Sequence, residues 1–215
     1  MAILHQAELR PSKLELIGGW APSQPWFSGD AEHLDSVGAY RFDDPAGEVG
    51  VETILVRSGG GPTFQVPLTY RATPLPDADE WLIGTLQHSV LGTRWVYDGV
   101  GDPVYLQTVG EAVIAAGDQA ELFIEVDGQR VQREPTARVT GSGITDAVVP
   151  DLPLTDGIVV RAGAAETVVE TGSLRMTVRR VIGGDAGTGQ PADGTLTGTW
   201  VDQAEPRPLV FVSLT

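Results

Sequence analysis

The 215-residue chain contains no cysteine, no asparagine and only one lysine, Lys13. The absence of cysteine excludes disulfides, thiolate nucleophiles and Cys-ligated zinc or iron–sulfur sites, and it fits a reducing cytosol. A single lysine that directly follows a serine excludes the Gly-Lys-Ser/Thr phosphate loop. A chain of this length can still bury roughly 70% of its extended surface, so it can fold without covalent or metal cross-links.

Long apolar runs are also absent. None approaches the roughly 18 residues that a membrane span requires, and the N-terminal MAILHQAELR does not have the pattern of a targeting segment. The formal charge is -15, from 29 acidic and 14 basic residues, and such a surplus repels nucleic acid and anionic membranes. We therefore expect a soluble, cytoplasmic protein that binds neither.

The common catalytic motifs are missing as well. No serine lies in a G-x-S-x-G elbow. His33 begins an H-x-D sequence, His33-Leu34-Asp35, but the chain has no asparagine to serve as the metal-binding residue of a kinase catalytic loop. The three histidines are too scattered to predict a metal site. DDPAGE, residues 43–48, resembles half of a calcium loop, but it is more typical of a tight turn between strands. We expect no catalytic residue, no cofactor and no metal, and hence no enzyme.

The first half of the chain reads as an α+β unit. Residues 11–20 predict a short helix that begins near a proline and ends at two glycines, and residues 102–117 predict a second helix with Asp102 as N-cap and Pro103 at the first position. Between them lie five strand-like runs separated by turn sequences: SVGAYRF, VGVETILVR, TFQVPLTYR, EWLIGTLQHS and TRWVYDG. Four antiparallel connections in succession predict a curved meander sheet.

The second half reads differently. It contains short β-type runs separated by Gly, Pro and Asp: ELFIEV, ARVTGSG, GIVVRAG, TVVET, SLRMTVRRVI, TLTGTWV and PLVFVSL. GGDAGTGQPADG, residues 183–194, has the composition of a flexible loop. We therefore predict an α+β domain over residues 1–120 and a β-rich domain over residues 121–215.

The stretch LIGTLQHSVLGTRWVYDGVGDPVY, residues 82–105, holds the densest side-chain chemistry. Alternation along TRWVYDG places Arg94 and Asp98 on one strand face and Trp95 on the other. The favoured interpretation is that Arg94 and Asp98 pair in solvent while the aromatic residues pack on a helix. The alternative is that His88 lies opposite them and completes a polar cluster that binds an anion or a partner's carboxylate.

Four runs together resemble a known family: KLELIGGWAPSQPWF, GAYRFDDPAGEVGVETILV, VPLTYR and LIGTLQHSVLGTRWVYDGVGDPVY. Over residues 5–117 the chain is similar to the N-terminal cap domain of actinobacterial maltokinases. The resemblance implies a cystatin-like curved antiparallel sheet with helices. In that family the ATP, Mg²⁺ and catalytic residues lie in a kinase portion after the cap, and this chain lacks those motifs, so it resembles a stand-alone cap without the catalytic lobe. SLRMTVRRVI and LTGTW are also compatible with a relative of the kinase small lobe.

Two hypotheses about function follow. The first is a non-catalytic interaction or regulatory module that docks on an enzyme of trehalose, maltose or glycogen metabolism, or on a kinase subunit without its own cap. The second is a binder of a sugar or sugar phosphate, or an unrecognised enzyme, with a cleft between the halves lined by Trp20, Trp26, Trp95 and Arg94. Core packing is the more common role for such tryptophans. Homodimer formation through sheet edges is a third, weaker possibility.

Overall fold

The computed structural model describes residues 2–4, 8–126, 129–145, 147, 157–183 and 192–215. Two α-helices are described, α1 (Lys13–Trp20) and α2 (Pro103–Ile114). The strands are, in chain order, β1 (Ala2–Leu4), β2 (Leu9–Arg10), β3 (Leu34–Asp43), β4 (Gly50–Ser58), β5 (Thr63–Arg71), β6 (Leu82–His88), β7 (Gly92–Asp98), β8 (Leu122–Val126), β9 (Gln129–Arg133), β10 (Ala137–Gly141), β11 (Val159–Ala162), β12 (Glu166–Glu170), β13 (Leu174–Arg179), β14 (Val181–Ile182), β15 (Gly194–Trp200) and β16 (Gln203–Leu214). The predicted α+β class with mostly antiparallel sheet is confirmed.

Both predicted helices are present, and each begins at a side-chain cap. Ser12 and Glu15 form a reciprocal capping box at the start of α1, and Ile17 faces the core. Asp102 caps α2 by accepting a hydrogen bond from the backbone N–H of Val104, and proline occupies the first helical position. For α2 the predicted cap is the observed one. For α1 the signals used were wrong, because Pro11 lies before the cap and the helix continues through Gly18 and Gly19 to Trp20.

The first sheet has the strand order β2-β6-β7-β5-β4-β3, and β14 from the second half of the chain also pairs with β5. All five strands predicted for this region are present. The N-terminal end of β5 pairs with β14 and the C-terminal end pairs with β7. The second half of the chain therefore contributes a strand to the cap-like sheet.

The exchange of partners along β5 occurs at Pro67. The backbone N–H of Gln65 donates to the carbonyl of Arg180, beside β14, whereas pairing with β7 begins at Leu68. Successive residues of an antiparallel strand direct their backbone groups to opposite edges, so residues 65 and 67 direct theirs to the same edge. An N–H at position 67 would therefore point between the end of β14 and the start of the β7 pairing. Proline has no N–H, so no backbone donor is left unsatisfied at this gap.

The second sheet is antiparallel throughout, in the order β10-β15-β16-β13-β12-β11, and a third sheet has the order β1-β8-β9 with β1 and β8 parallel. The second-half runs predicted as β-type all contribute strands. The sequence did not predict β1, β2 or β9. β1 and β2 are only three and two residues long, and the side chains of β9 are exposed along the whole strand. Most of the loop predicted over residues 183–194 lies outside the described residues.

Two apolar cores hold these layers together. The smaller core lies between α1 and one face of the first sheet, where Ile17 packs with strand residues such as Val66 and Val96. The larger core surrounds α2, which contacts β3 of the first sheet and β10, β15 and β16 of the second. The division of the chain at residue 120 stays a prediction, and the larger core includes residues from both sides of it.

Candidate functional site

The β6–β7 hairpin does not assemble the predicted polar cluster. The register pairs His88 with Gly92 and Leu86 with Arg94, so His88, Arg94 and Asp98 do share one face of the hairpin. At a rise of about 3.3 Å per residue, however, Gly92 and Asp98 are about 20 Å apart along β7, and Arg94 and Asp98 are about 13 Å apart. The interpretation of Arg94 and Asp98 as a solvent-exposed ion pair is therefore wrong.

The carboxylate of Asp98 instead pairs with Arg180 from the second half of the chain. Nη2 of Arg180 lies 2.6 Å from Oδ2 of Asp98, and the side chains are only 1% and 2% exposed. Nε of Arg180 donates to the Thr167 hydroxyl at 2.8 Å, and the guanidinium lies over the ring of Trp26 at 5.3 Å. Burial raises the pKa of Asp98, and the nearby Arg180 only partly opposes this effect. Asp98 ends β7 opposite Leu68, and Arg180 directly precedes β14, so the pair joins the two strands that share one edge of β5.

A second buried ion pair joins β5 to α2. The Arg71 guanidinium donates to both carboxylate oxygens of Asp102 at 2.7 Å, and the Thr69 hydroxyl donates to the same carboxylate at 2.7 Å. Asp102 is completely buried. Because this carboxylate also caps α2, it is occupied on every side by the cap-like unit itself, and it has no free acceptor for a substrate or a metal ion.

A third cluster anchors α1 on the sheet. Nζ of Lys13 lies 2.9 Å and 2.6 Å from the two carboxylate oxygens of Glu52, and the Tyr70 hydroxyl donates to the same carboxylate at 2.7 Å. Nε of Arg41 is 3.5 Å away. Burial by itself would raise the pKa of Glu52, but Arg41 and Lys13 together lower it. The crevice beside Lys13 is too narrow to admit a water molecule, so the cluster is a structural contact.

The tryptophans proposed for a ligand cleft lie in different environments. Trp26 is 2% exposed and belongs to an aromatic cluster with Trp20, Phe27 and Phe64. Trp95 and Val96 are adjacent on β7, so their side chains point to opposite faces of the sheet. Val96 packs in the same core as Trp26, and Trp95 therefore lies on the other face. The structure therefore does not bring Trp20, Trp26 and Trp95 together as the walls of one cleft.

His88 has a different and well-defined role in the hairpin turn. Its Nδ1 accepts hydrogen bonds from the backbone N–H groups of Val90 at 3.2 Å and Leu91 at 3.1 Å. The neighbouring Ser89 exchanges hydrogen bonds with the backbone of Glu8. The side chains of Val90 and Leu91 are 58% and 44% exposed. The turn is thus an apolar tip whose backbone is held by an imidazole.

The remaining candidates behave as turn or surface residues. Asp44 accepts hydrogen bonds from the backbone N–H groups of Ala46, Glu48 and Val49, which confirms the turn predicted for DDPAGE. His33 contacts the Asp30 carboxylate at 2.7 Å on the surface, and His5 lies outside the described residues.

The described part of the chain contains no group of three or more His, Cys, Asp or Glu side chains that could hold a metal ion, and no helix there has the length and apolar character of a bilayer span.

Comparison with known proteins agrees with this geometry. Residues 20–102 match the model of the maltokinase N-terminal cap domain family. The matched range runs from the end of α1 through β3 to β7 and stops at the cap of α2, so it covers the core of the first sheet. None of the curated proteins compared with the chain matches it. The chain therefore contains a maltokinase-cap-like module, and the resemblance seen in the sequence is confirmed.

Sequence reasoning missed the roles of Arg180, Arg71 and Glu52. Arg180 is 82 residues from its partner and Arg71 is 31 residues from Asp102, so no local pattern links them. Glu52 did carry a signal, because it interrupts the apolar run VGVETILV in the centre of a predicted strand. A charge at such a position must be buried with a partner or turned to solvent.

Proposed function

We propose that this protein is a non-catalytic interaction or regulatory module of trehalose, maltose or glycogen metabolism. It acts in the cytoplasm by binding an enzyme of these pathways or a kinase subunit without a cap of its own. The match of residues 20–102 to the maltokinase cap family carries the proposal. In an enzyme that joins a cap to a kinase portion, the two parts belong to one chain, whereas here the cap-like module would bind a separate protein.

The buried ion pairs support a scaffold in preference to a catalyst. Among the described residues, Asp98, Asp102 and Glu52 are the buried carboxylates, and each is paired with an arginine or lysine of the same chain. A general acid or base must instead be within reach of a substrate proton. We accordingly expect no phosphoryl transfer from ATP to maltose by the purified protein.

The experiment is a binding measurement with defined probes. Tagged protein is mixed separately with a purified trehalose synthase, a glycogen branching enzyme and a maltokinase from which the cap has been deleted, and each mixture is studied by calorimetry and gel filtration. We expect saturable binding to one probe and no binding to the other two. Failure to bind any of these probes, together with no carbohydrate enzyme in cross-linked complexes from the source cells, would overturn the proposal.

Two further measurements separate this function from the alternatives. If the protein is a sugar or sugar-phosphate binder, millimolar maltose, trehalose, their phosphates or ATP will raise its melting temperature, because a ligand that binds only the folded state stabilises it. If it is a kinase, incubation with ATP and maltose will yield a sugar phosphate. We expect neither effect, and either one would replace the proposed role with an active binding site.

A further inference from the structure

The tip of the β6–β7 hairpin stands out from the rest of the surface. Within the described ranges, Val90 and Leu91 are the only two large exposed apolar residues that are adjacent in sequence. Their turn also has an unusual support, because the two backbone N–H groups donate to a single acceptor, Nδ1 of His88. The shape of this apolar tip therefore depends on one titratable side chain.

The direction of the hydrogen bonds defines the state of the ring. A histidine nitrogen accepts a hydrogen bond only when it carries no proton, so the geometry requires the neutral imidazole with its proton on Nε2. When the ring becomes imidazolium, Nδ1 becomes a donor and directs its proton at two backbone N–H groups. Both hydrogen bonds are then lost and replaced by a repulsive contact.

We propose that His88 is a pH-sensitive latch on the β6–β7 turn. The neutral ring fixes Val90 and Leu91 in their exposed arrangement, and protonation releases them. The latch belongs to the hairpin itself, so the inference does not depend on which protein the module binds. At neutral pH the apolar tip therefore holds one defined conformation, and in mildly acidic conditions it becomes disordered.

The charged groups around the latch are few. Among the described residues of the elements packed against β6, they are Arg10 on β2 with Glu8 directly before it, Arg94 and Asp98 on β7, and Lys13 and Glu15 on α1. Asp98 is about 20 Å from the turn along β7 and is paired with Arg180. Glu8 and Arg10 pair with each other at 3.3 Å, Lys13 is bound to Glu52, and Glu15 is engaged in the capping box.

The test follows the turn directly by NMR. Amide exchange protection and chemical shifts of Val90 and Leu91 are measured between pH 8 and pH 5, the range in which histidine ordinarily changes its charge, together with the ring signals of His88. We expect the protection factors to fall by about fivefold if one net hydrogen bond is lost and about thirtyfold if both are lost. The change should follow the protonation of the His88 ring.

Variants separate the latch from general acid effects. His88→Asn keeps a side-chain acceptor that can bind the N–H groups two and three residues later, and it does not titrate, so we expect a closed turn at both pH values. His88→Ala should give low protection at both. His33→Gln and Glu8→Gln should retain the wild-type response. Constant protection in the wild type, or a pH response that persists in His88→Asn, would overturn the proposal.

Discussion

Replacement of Arg180 by methionine should destabilise the protein far more than removal of a surface arginine. Arg180 and Asp98 are 1% and 2% exposed and lie 2.6 Å apart, so the loss of one partner leaves an unpaired charge in the core. The cost of such a loss is about 3–5 kcal/mol. Typical domains have unfolding free energies of about 5–15 kcal/mol, so Arg180→Met should remove a large part of the total stability.

Urea unfolding followed by tryptophan fluorescence measures this effect, since Trp26 lies directly under the guanidinium. The matched control is Arg161→Met, because Arg161 is 61% exposed and pairs with Glu170 on the surface; its loss should cost no more than about 1 kcal/mol. The double variant Arg180→Met with Asp98→Asn should recover a substantial part of the stability, because neither residue is then charged. Equal costs for Arg180→Met and Arg161→Met would refute the reasoning.

The same variant should show a defined pH dependence. The folded-state pKa of Asp98 is already raised above its ordinary value by burial, and loss of Arg180 removes the cation that opposes this shift. A carboxyl whose folded-state pKa is raised binds a proton more tightly when the protein is folded than when it is unfolded. The destabilisation caused by Arg180→Met should therefore be smaller at pH 5 than at pH 7.

Two further predictions concern a glycine contact and a surface histidine. Gly101→Ala should lower the free energy of unfolding by about 1–3 kcal/mol, because a Cβ there would lie 2.1 Å from the ring of Trp81. Gly19→Ala, whose Cβ would have no neighbour within 4 Å, should instead raise it by about 0.5–1 kcal/mol. Urea unfolding measures both values, and equal effects of the two variants would contradict the packing argument. Hydrogen bonding to Asp30 raises the pKa of His33 above 6.5, so this pair contributes stability below pH 6.5 that is lost as the pH rises through the raised value. Asp30→Asn should lower the pKa of His33, measured by NMR titration, because the largest cause of the increase is removed; an unchanged midpoint would argue against the contact.

The sequence was informative wherever a local rule decides the structure. Asp102 with Pro103 is a helix-start signal that requires no knowledge of the rest of the chain. Ser12 with Glu15 is another such signal, which the prediction of the first helix from Pro11 did not use. Alternation and turn residues were sufficient to predict β3 to β7, five of the seven strands of the first sheet. The strand Gln129–Arg133 was missed because an exposed, polar strand has no apolar alternation by which to recognise it.

The candidate site was harder to predict because its chemistry depends on distant partners. Arg94 and Asp98 were correctly placed on one strand face, but the extended rise of a strand separates residues four positions apart by about 13 Å, which is too far for an ion pair. Asp98 meets Arg180 only because a short strand of the second half joins the first sheet. No spacing rule within the hairpin could have revealed that partner.

Pro67 sets a limit on how the two halves of the chain can rearrange. β14 and β7 pair with successive parts of β5. The pairing of one of them could in principle lengthen along β5 while the pairing of the other shortens. Pro67 has no backbone N–H to donate to β14 or to β7. Each of these strands would therefore lose a hydrogen bond if its pairing extended past Pro67, and this loss opposes the exchange. Pro67→Thr would remove this barrier, and the borders of the two short pairings would then be free to drift along β5.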